Sequence, residues 1–398
     1  MFVQCRFTGP LARRCSRLTV SDFIPEFIEE NRKIHYNYQN VDYLIGDALH
    51  IDVPSNSFDF VFTNWLVMYF TEVELIQFLF KVMEWLKPNG FVHFRESCSQ
   101  PSNPSKKRPD NPTFYRHISV YLQLLDKITY AEELTKTAYK FETFWSKSVL
   151  PYIDSIGNWR QIHFLARKVR IPYENANVTS LEELLESVSK AKVKQDTLEN
   201  PSNRLTSEEC PLAEYLLEKQ EELHPNFPNQ RSICYASELS SRICFTLAEK
   251  NDVDVLNLEE DGFLYSLRLR QAIENGDKRV KFLWTPKIQR NNMQLQILLR
   301  KLEKSELLLG YLAVENFEDL RNYLENFKPS LTSTSNGSVI ILIGFPFNEI
   351  MEKIEEYKKN LAQNYKVISF EDVTEQTLKK PQLELRNSEL QDGNTTEK

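Results

Sequence analysis

The chain has 398 residues, of which 41% are hydrophobic, 12% aromatic and 26% charged, and its formal net charge is −7. This composition is typical of a globular protein of roughly two to three domains, and it excludes a disordered, fibrous or collagen-like chain. The mild acidity gives no overall field that would attract nucleic acid, and no apolar run approaches the ~20 residues of a membrane span.

The first segment, Met1–Ser21, carries four arginines and no acidic residue, a composition typical of a mitochondrial presequence. The alternative is that this segment is folded. Thr8, Gly9 and Pro10 are typical of a helix N-terminus, and Leu11–Cys15 would continue that helix. We favour the folded alternative, because the pattern runs without a break into the strand that follows, and we expect a cytoplasmic protein.

Strands and helices alternate between residues 18 and 100. The pattern predicts the strands Leu18–Asp22, Val41–Ile45, Phe58–Thr63 and Phe91–Phe94, and among them the helices Ile24–Arg32 and Glu72–Leu86. Such alternation indicates right-handed βαβ units and an open, Rossmann-like parallel sheet, whose ligands lie beyond the carboxyl ends of the strands. Because Phe58–Thr63 is mostly apolar, we expect this strand to be buried on both faces.

The chain becomes polar and basic from Ser99 to Arg116, which predicts a long loop of the kind that covers an active site. Residues 122–170 return to helix and strand, with Gln161–Phe164 as a candidate edge strand. Residues 171–250 are polar and interrupted by prolines, and we interpret them as a linker that contains the helices Leu181–Lys194 and Ala213–Glu222.

A second α/β pattern occupies residues 251–375. Its predicted strands are Asp254–Leu258, Val280–Trp284, Leu307–Val314, Val339–Gly344 and Lys366–Phe370, and its predicted helices are Leu264–Asn275, Asn292–Lys304, Phe317–Phe327 and Asn348–Asn364. Glu259, Glu260 and Asp261 stand where a nucleotide-binding domain would have glycines, and the whole chain holds only 10 glycines. We therefore expect a degenerate doubly wound domain without a ligand, followed by a disordered tail over residues 376–398.

Polar side chains mark the ends of three predicted strands. Asp22 ends the first strand, Asp47 follows the second and Asn64 follows the third. A carboxylate at the end of a strand in a nucleotide-binding sheet commonly accepts ribose hydroxyls, and an aspartate one strand further can receive the adenine amine. A single aspartate at a strand end is often a turn or a helix cap. Two of them along one sheet edge favour an adenosine site.

Two further groups of residues are candidates for substrate contacts. Trp65 and Tyr69 are four residues apart and would share one face of a helix, although a core stripe is the simpler explanation of that spacing. The polar loop carries the cluster Ser102, Lys106, Lys107, Arg108, Tyr115 and Arg116. This cluster is either a solvated basic loop or a clamp for a phosphorylated small molecule, since phosphate is bound by guanidinium, ammonium and hydroxyl groups.

Three motifs occur in a fixed order: FTNWLVMYF at residues 62–70, FRESC at 94–98 and NPTFYR at 111–116. Together they resemble the phosphoethanolamine N-methyltransferases of plants and nematodes, over residues 5–170. The resemblance implies a Rossmann-like class I methyltransferase domain in residues 1–170, which uses S-adenosylmethionine to methylate phosphoethanolamine on the route to phosphocholine. The NWLxMY form resembles the domain for the first methylation. An active domain followed by a degenerate α/β half further resembles the nematode enzyme for that step.

The resemblance also implies roles for particular residues. The cofactor contacts would be Arg6, Asp22, Asp47, Ala48 and Asn64, and the substrate contacts would be Ser97, Ser102, Asn103, Arg108, Tyr115 and Lys147. Tyr69 would face the substrate amine with Trp65 beside it, and we assign Tyr69 orientation before proton relay, because a neutral tyrosine is a poor base. One residue is inserted in the loop, so Lys107 is an alternative to Arg108 as the phosphate-binding cation.

The start of the chain departs from the family. There the first strand and the glycine-rich loop end in Gly-Arg-Phe-Thr, and this chain begins at that point as Cys5-Arg6-Phe7-Thr8. We therefore expect a domain that lacks its first strand and glycine loop and binds the cofactor poorly. The alternatives are a catalytically impaired pseudoenzyme and a methyltransferase for another anionic amine. The histidines and cysteines show no metal-ligand spacing, so we expect no metal site.

Overall fold

The computed structural model describes residues 5–99, 112–133, 135–176, 178–200, 231–235, 255–259, 261–275, 280–284, 308–314, 339–344 and 367–371. The chain clusters into two compact units. The first contains Met1–Arg204, Glu260–Lys278 and Leu283–Pro286, and the second contains Leu205–Glu259, Arg279–Phe282 and Lys287–Lys398. Outside the described residues lie the predicted disordered tail and the predicted helices Ala213–Glu222, Asn292–Lys304, Phe317–Phe327 and Asn348–Asn364.

The first unit alternates helices and strands in its amino-terminal part, as predicted. In chain order its elements are α1 (Cys5–Ala12), β1 (Leu18–Asp22), α2 (Pro25–Ile34), β2 (Val41–Ile45), β3 (Phe58–Asn64), α3 (Glu72–Trp85), β4 (Leu86–Ser97), α4 (Ile118–Lys127), β5 (Thr129–Glu132), β6 (Thr137–Ser148), α5 (Leu150–Ile156), β7 (Gln161–Ile171), α6 (Leu181–Glu199) and α7 (Gly262–Asn275). The bounds of β1 and β2 are those that the sequence predicts.

The strands of the first unit form two groups. β1 pairs with β2 in parallel, and β3 pairs with β4 in parallel. β7 is antiparallel to both β4 and β6, and β5 pairs with β6. The prediction of an edge strand at Gln161–Phe164 is therefore wrong. β7 is central because Ile162, Phe164 and Ala166, all fully buried, contribute to the core from its middle.

β3 is more exposed than its composition predicts. Its described ladder partner is β4, and no described ladder joins it to β1. Phe60 is 45% exposed, and Phe62 is covered by α1 through Phe7, whose ring centroid lies 5.0 Å away. The prediction that Phe58–Thr63 is buried on both faces is therefore wrong, because a strand at the edge of its group has less cover than a central one.

The helix at the start of the described chain also differs from its prediction. α1 includes Cys5, so Thr8 lies inside the helix rather than at its N-cap, and Pro10 follows in the same helix. Thr8 is 2% exposed. A side chain buried against the unit is not available as a solvent-facing cap, and the predicted helix start at Thr8 is wrong.

The core of the first unit lies between its strands and helices α3 and α4. α3 begins with a capping box, in which the Thr71 hydroxyl accepts the Glu74 N–H and the Glu74 carboxylate accepts the Thr71 N–H. Tyr121 of α4 packs on Phe94 and Phe164, whose stacked rings have centroids 4.6 Å apart. Burying each of these rings contributes roughly 1.5–3 kcal/mol, which fixes the strands that carry the site.

The second unit contains parallel strands. They are β8 (Arg231–Tyr235), β9 (Val255–Glu259), β11 (Leu308–Val314), β12 (Val339–Gly344) and β13 (Val367–Glu371), in the order β9-β8-β11-β12-β13. β8 lies in the segment that we interpret as a linker, and that interpretation missed this strand because polar, proline-broken sequence flanks it. The carboxyl end of β10 (Val280–Trp284) pairs antiparallel with β6.

Candidate active site

The two aspartates lie at one edge of the β1–β2 pair. The parallel register sets Asp22 opposite Ile45, and the Gly46 N–H donates to the Asp22 carbonyl at 3.0 Å. Asp22 is buried, its Oδ1 accepts the Ile24 N–H at 2.9 Å, and burial raises its pKa. Asp47 is exposed beside the half-buried Ala48, and backbone hydrogen bonding from Leu49 lowers its pKa. The Asp47 Oδ2 lies 2.7 Å from the His50 Nδ1, so both aspartates already make contacts within the fold at the edge where a nucleoside would lie.

Asn64 is the last residue of β3, and its amide group is a candidate ligand contact. Its Oδ1 and Nδ2 are both buried, and neither makes a hydrogen bond to a described residue. A buried amide without partners is costly, so its donor and acceptor are suited to a polar ligand. The residues present thus fit a nucleoside cofactor: two carboxylates for hydroxyl and amine donors, and one amide that can donate and accept.

A sharp turn follows β3 and carries Trp65 and Tyr69. The Trp65 backbone has a φ of 54°, and a 3₁₀ turn occupies Val67–Tyr69. The predicted helical face of Trp65 and Tyr69 is therefore wrong. The turn takes this form because the Glu96 carboxylate accepts the N–H groups of Leu66, Val67 and Met68 at 3.1–3.3 Å.

Glu96 is a buried acid that the sequence analysis did not include in the site. Burial raises the pKa of Glu96 to about 8, although the three backbone N–H groups favour its ionised form. Since side chains alternate along a strand, Glu96 and Arg95 point to opposite faces of β4. Glu96 sets the turn, and Arg95 is left on the face that carries Ser97.

The segment at 112–117 runs beside that turn and brings Tyr115 to Tyr69. The Phe114 N–H donates to the Met68 carbonyl at 2.6 Å. The Arg116 guanidinium donates to the carbonyls of Val67 and Phe70 and pairs with Glu72. Arg116 is therefore fully engaged within the fold, and its candidate role in the phosphate clamp is wrong.

Tyr69 is half-exposed at this place. Burial raises its pKa above 10, and the charges of Tyr115 and Glu96 add to the shift. The phenol is therefore protonated at neutral pH. It can donate or accept a hydrogen bond, and it cannot by itself remove a proton from an ammonium group.

A hydrogen-bonded chain joins Trp65 to Ser97. The Trp65 Nε1 donates to the Gln161 Oε1 at 2.7 Å, and the Gln161 Nε2 donates to the Ser97 Oγ at 2.5 Å. Gln161 is fully buried. Gln161 therefore fixes the positions of the Trp65 indole and the Ser97 hydroxyl. The sequence did not predict this role, because no local pattern near residue 161 indicates a contact with a residue 96 positions away.

The remaining predicted residues fall into two groups. Arg6 is exposed, with its guanidinium carbon 5.8 Å from the Trp65 ring, and Lys147 of β6 has its Nζ 4.3 Å from the Trp145 ring. Ser102, Asn103, Lys107 and Arg108 lie outside the described residues. The structure thus brings Tyr69, Trp65, Tyr115 and Ser97 close to one turn.

Comparison with known proteins agrees with this arrangement. A methyltransferase domain model matches residues 3–94. Phosphoethanolamine N-methyltransferase 1 of Haemonchus contortus, solved with phosphoethanolamine and S-adenosylhomocysteine, superposes with a TM-score of 0.71 at 28% identity, over 88% of this chain and 76% of that one. Phosphoethanolamine N-methyltransferase 2 of the same organism has a TM-score of 0.53 at 12% identity, which concerns the fold alone. The chain has the class I S-adenosylmethionine-dependent methyltransferase fold.

Sequence similarity narrows the class. Phosphoethanolamine N-methyltransferase 1 of Caenorhabditis elegans is 32% identical over 386 residues, which are 94% of this chain and 78% of that protein. A wheat phosphoethanolamine N-methyltransferase 1 is 33% identical over 168 residues, 42% of this chain and 33% of that protein. The chain belongs to the phosphoethanolamine N-methyltransferase family, and the resemblance inferred from its three motifs is confirmed.

The described helices were compared with the requirements for a membrane-spanning helix. None of them combines the length and the apolar character that crossing a bilayer requires.

Proposed function

We propose that this protein transfers a methyl group from S-adenosylmethionine to the amine of phosphoethanolamine, as the first methylation towards phosphocholine, in the cytoplasm. When bound, S-adenosylmethionine supplies the electrophilic methyl group. Asp22, Asp47, Ala48 and Asn64 would hold its nucleoside at the ends of β1, β2 and β3, and Arg6 would lie near its far end. The single observation that carries the proposal is the hydrogen bond from the Phe114 N–H to the Met68 carbonyl, which joins the segment of Tyr115 to the turn of Tyr69.

The residues of the turn would align the amine. Phosphoethanolamine carries an ammonium group near pH 7, with a pKa near that of lysine at ~10.4, and this group must lose a proton before it attacks. Because Tyr69 remains protonated, it would orient the amine lone pair while water removes the proton. Positioning supplies most of the rate enhancement, since effective molarities are worth ~7–11 kcal/mol.

The phosphate would fix the register of the substrate. Ser97, Tyr115 and Lys147 offer hydroxyl and ammonium donors to a dianion, and Ser102, Asn103 and Arg108 (or Lys107) would add donors from the loop. Aromatic rings near the amine would stabilise its cationic form, an interaction worth ~0.5–2 kcal/mol.

Two measurements test the proposal. Calorimetry should detect binding of S-adenosylhomocysteine, and mass spectrometry should show monomethylated product from phosphoethanolamine and far less from ethanolamine. Absence of cofactor binding would favour the impaired pseudoenzyme. Equal turnover of ethanolamine would favour a methyltransferase without a phosphate site.

A variant tests the assignment of Tyr115. Tyr115→Phe should raise the KM for phosphoethanolamine by roughly 10-fold or more, because a hydrogen bond to a charged group is lost, and should leave the affinity for S-adenosylhomocysteine unchanged. Tyr130→Phe, on β5, is the matched control. A larger effect of Tyr115→Phe on cofactor affinity than on KM would contradict the assignment.

A further inference from the structure

Arg95 is a buried cation, and two of its donors make no hydrogen bond within the described part of the chain. The residue is 7% exposed on β4. Its Nε and Nη2 are buried and make no hydrogen bond to a described residue. These two nitrogens form the side of the guanidinium that binds one oxyanion through two parallel N–H groups. Leaving both nitrogen donors without a hydrogen bond is costly in a folded protein, which indicates that a ligand accepts these hydrogen bonds.

A second cation lies on the same face of the sheet as Arg95. Across the sheet, Arg95 lies opposite His163 of β7, and His163 lies opposite Lys147 of β6. Burial lowers the pKa of His163 to about 3, and the charges of His93, Arg95 and Lys147 add to the shift, so the imidazole is neutral. Among the described residues, no carboxylate forms an ion pair with Arg95.

Aromatic rings shield the guanidinium from water. The Cζ of Arg95 lies 4.8 Å from the Trp65 ring and 5.5 Å from the Tyr152 ring. Burial lowers the pKa of Arg95 and the charge of Arg6 adds to this shift, whereas the interaction with Tyr152 opposes it. A cation held between rings in a region of low dielectric attracts an anion more strongly than an exposed one does. The hydroxyl of Ser97, which accepts a hydrogen bond from Gln161, lies on the same face of β4.

We propose that Arg95 binds the phosphate of the substrate through its Nε and Nη2, with Lys147 as the second cation of the same subsite. This inference rests on the proposed function and adds a residue to it. A phosphomonoester carries close to two negative charges at neutral pH and presents oxygens at the spacing of the fork. The carboxylate of the cofactor is the competing anion, and it is disfavoured because Asp22 and Asp47 lie on the other strand group.

The first test compares Arg95→Gln with Arg167→Gln. Arg167 is a guanidinium on β7 whose Nε and Nη2 already bind Glu142 at 3.1 and 2.6 Å, so its fork is filled. Arg95→Gln should raise the KM for phosphoethanolamine about 30-fold or more, because two charge-assisted hydrogen bonds are lost. Arg167→Gln should change this KM by no more than about twofold, on the scale of an exposed ion pair. Neither variant should weaken the binding of S-adenosylhomocysteine.

A second test does not depend on activity. Inorganic phosphate should raise the melting temperature of the wild type and of Arg167→Gln, and should not raise that of Arg95→Gln. Without phosphate, Arg95→Gln should melt at or above the wild-type temperature, since it removes a buried charge that forms an ion pair with no described carboxylate. Arg95→Lys keeps the charge without the fork and should give a KM between those of the wild type and Arg95→Gln.

The outcomes separate the inference from the proposed function. An unchanged KM in Arg95→Gln, in an enzyme that methylates phosphoethanolamine, overturns the inference alone. Weaker binding of S-adenosylhomocysteine by Arg95→Gln assigns the fork to the cofactor carboxylate and also overturns it. If the wild type binds phosphate through Arg95 and methylates no phosphoethanolamine, the proposed function fails and the anion site stands.

Discussion

At the scale of single residues, the neighbours Arg95 and Glu96 have different roles because adjacent side chains of a strand point to opposite faces. Glu96 turns towards the N–H groups of the turn after β3, and Arg95 turns towards the opposite face. The motif FRESC thus combines a residue that shapes the backbone of the site with one that offers donors to an anion. The motif alone does not reveal this division, because the division depends on which face of the strand each side chain occupies.

Tyr69 gives a prediction at the same scale. Tyr69→Phe should lower kcat by roughly 10- to 100-fold through loss of alignment, with little change in KM. Because burial and the charges of Tyr115 and Glu96 raise the pKa of Tyr69 above 10, it does not titrate between pH 6 and 9. The rising limb of the pH profile of kcat should therefore stay where it is in the wild type. Disappearance of that limb in the variant would identify Tyr69 as the base.

At the scale of elements, α6 and α7 support the segment that carries Tyr115. Glu72 of α3 forms ion pairs with Arg116, in the segment 112–117, and with Lys192 of α6. His117 lies 2.9 Å from an Asp196 oxygen and 3.4 Å from a Glu199 oxygen, both on α6. Arg270 of α7 pairs with the same Glu199. Helices far apart in the sequence thus determine where residues 112–117 lie.

The stabilisation that His117 contributes through its contacts with α6 should depend on pH. Burial alone would lower the pKa of His117, but Glu199 and Asp196 outweigh it and raise the pKa above 6.5. The raised pKa means that the stabilisation is complete below pH 6.5 and is lost as the pH rises through the folded-state value. His117→Gln should therefore cost on the order of 1 kcal/mol of unfolding free energy at pH 6 and less at higher pH. Urea titrations at several pH values measure this difference, and a constant difference would contradict the prediction.

The elements also show how far the sequence predicts the structure. β1, β2, β10 and β12 follow from their apolar patterns, because a strand's pattern is local. The turn after β3 does not, since its form depends on Glu96, some thirty residues further along the chain. The aspartates at the ends of β1 and β2 follow from the strand pattern. Gln161 and Arg95 require the pairing of β4 with β7, which no local signal contains.

At the scale of the whole molecule, the first unit is discontinuous in sequence. α7 comes from residues beyond the start of the second unit and packs on α4 and α6. A Cβ added at Gly262 would lie 3.0 Å from Leu122 of α4, so the helix approaches closely. Tyr265 and Ala272 are fully buried. The division into domains expected near residues 170 and 250 remains a proposal, and so does the loss of ligand binding in residues 251–375.

Truncation tests the role of α7. A chain of residues 1–204 lacks this helix, and a chain of residues 1–286 keeps it as the matched control. The shorter chain should melt about 10 °C lower, because it leaves the pocket for Tyr265 and its neighbours open, at a cost of several kcal/mol. Differential scanning calorimetry of the two chains measures the shift. Equal melting temperatures would show that α7 is dispensable for the first unit.

The placement of α7 has a genetic consequence. A deletion or early stop that removes the carboxyl-terminal half of the coding sequence also removes one wall of the methyltransferase half. Selection on methyl transfer therefore acts on both halves at once, because the stability of the first unit depends on a helix that is encoded beyond the start of the second unit.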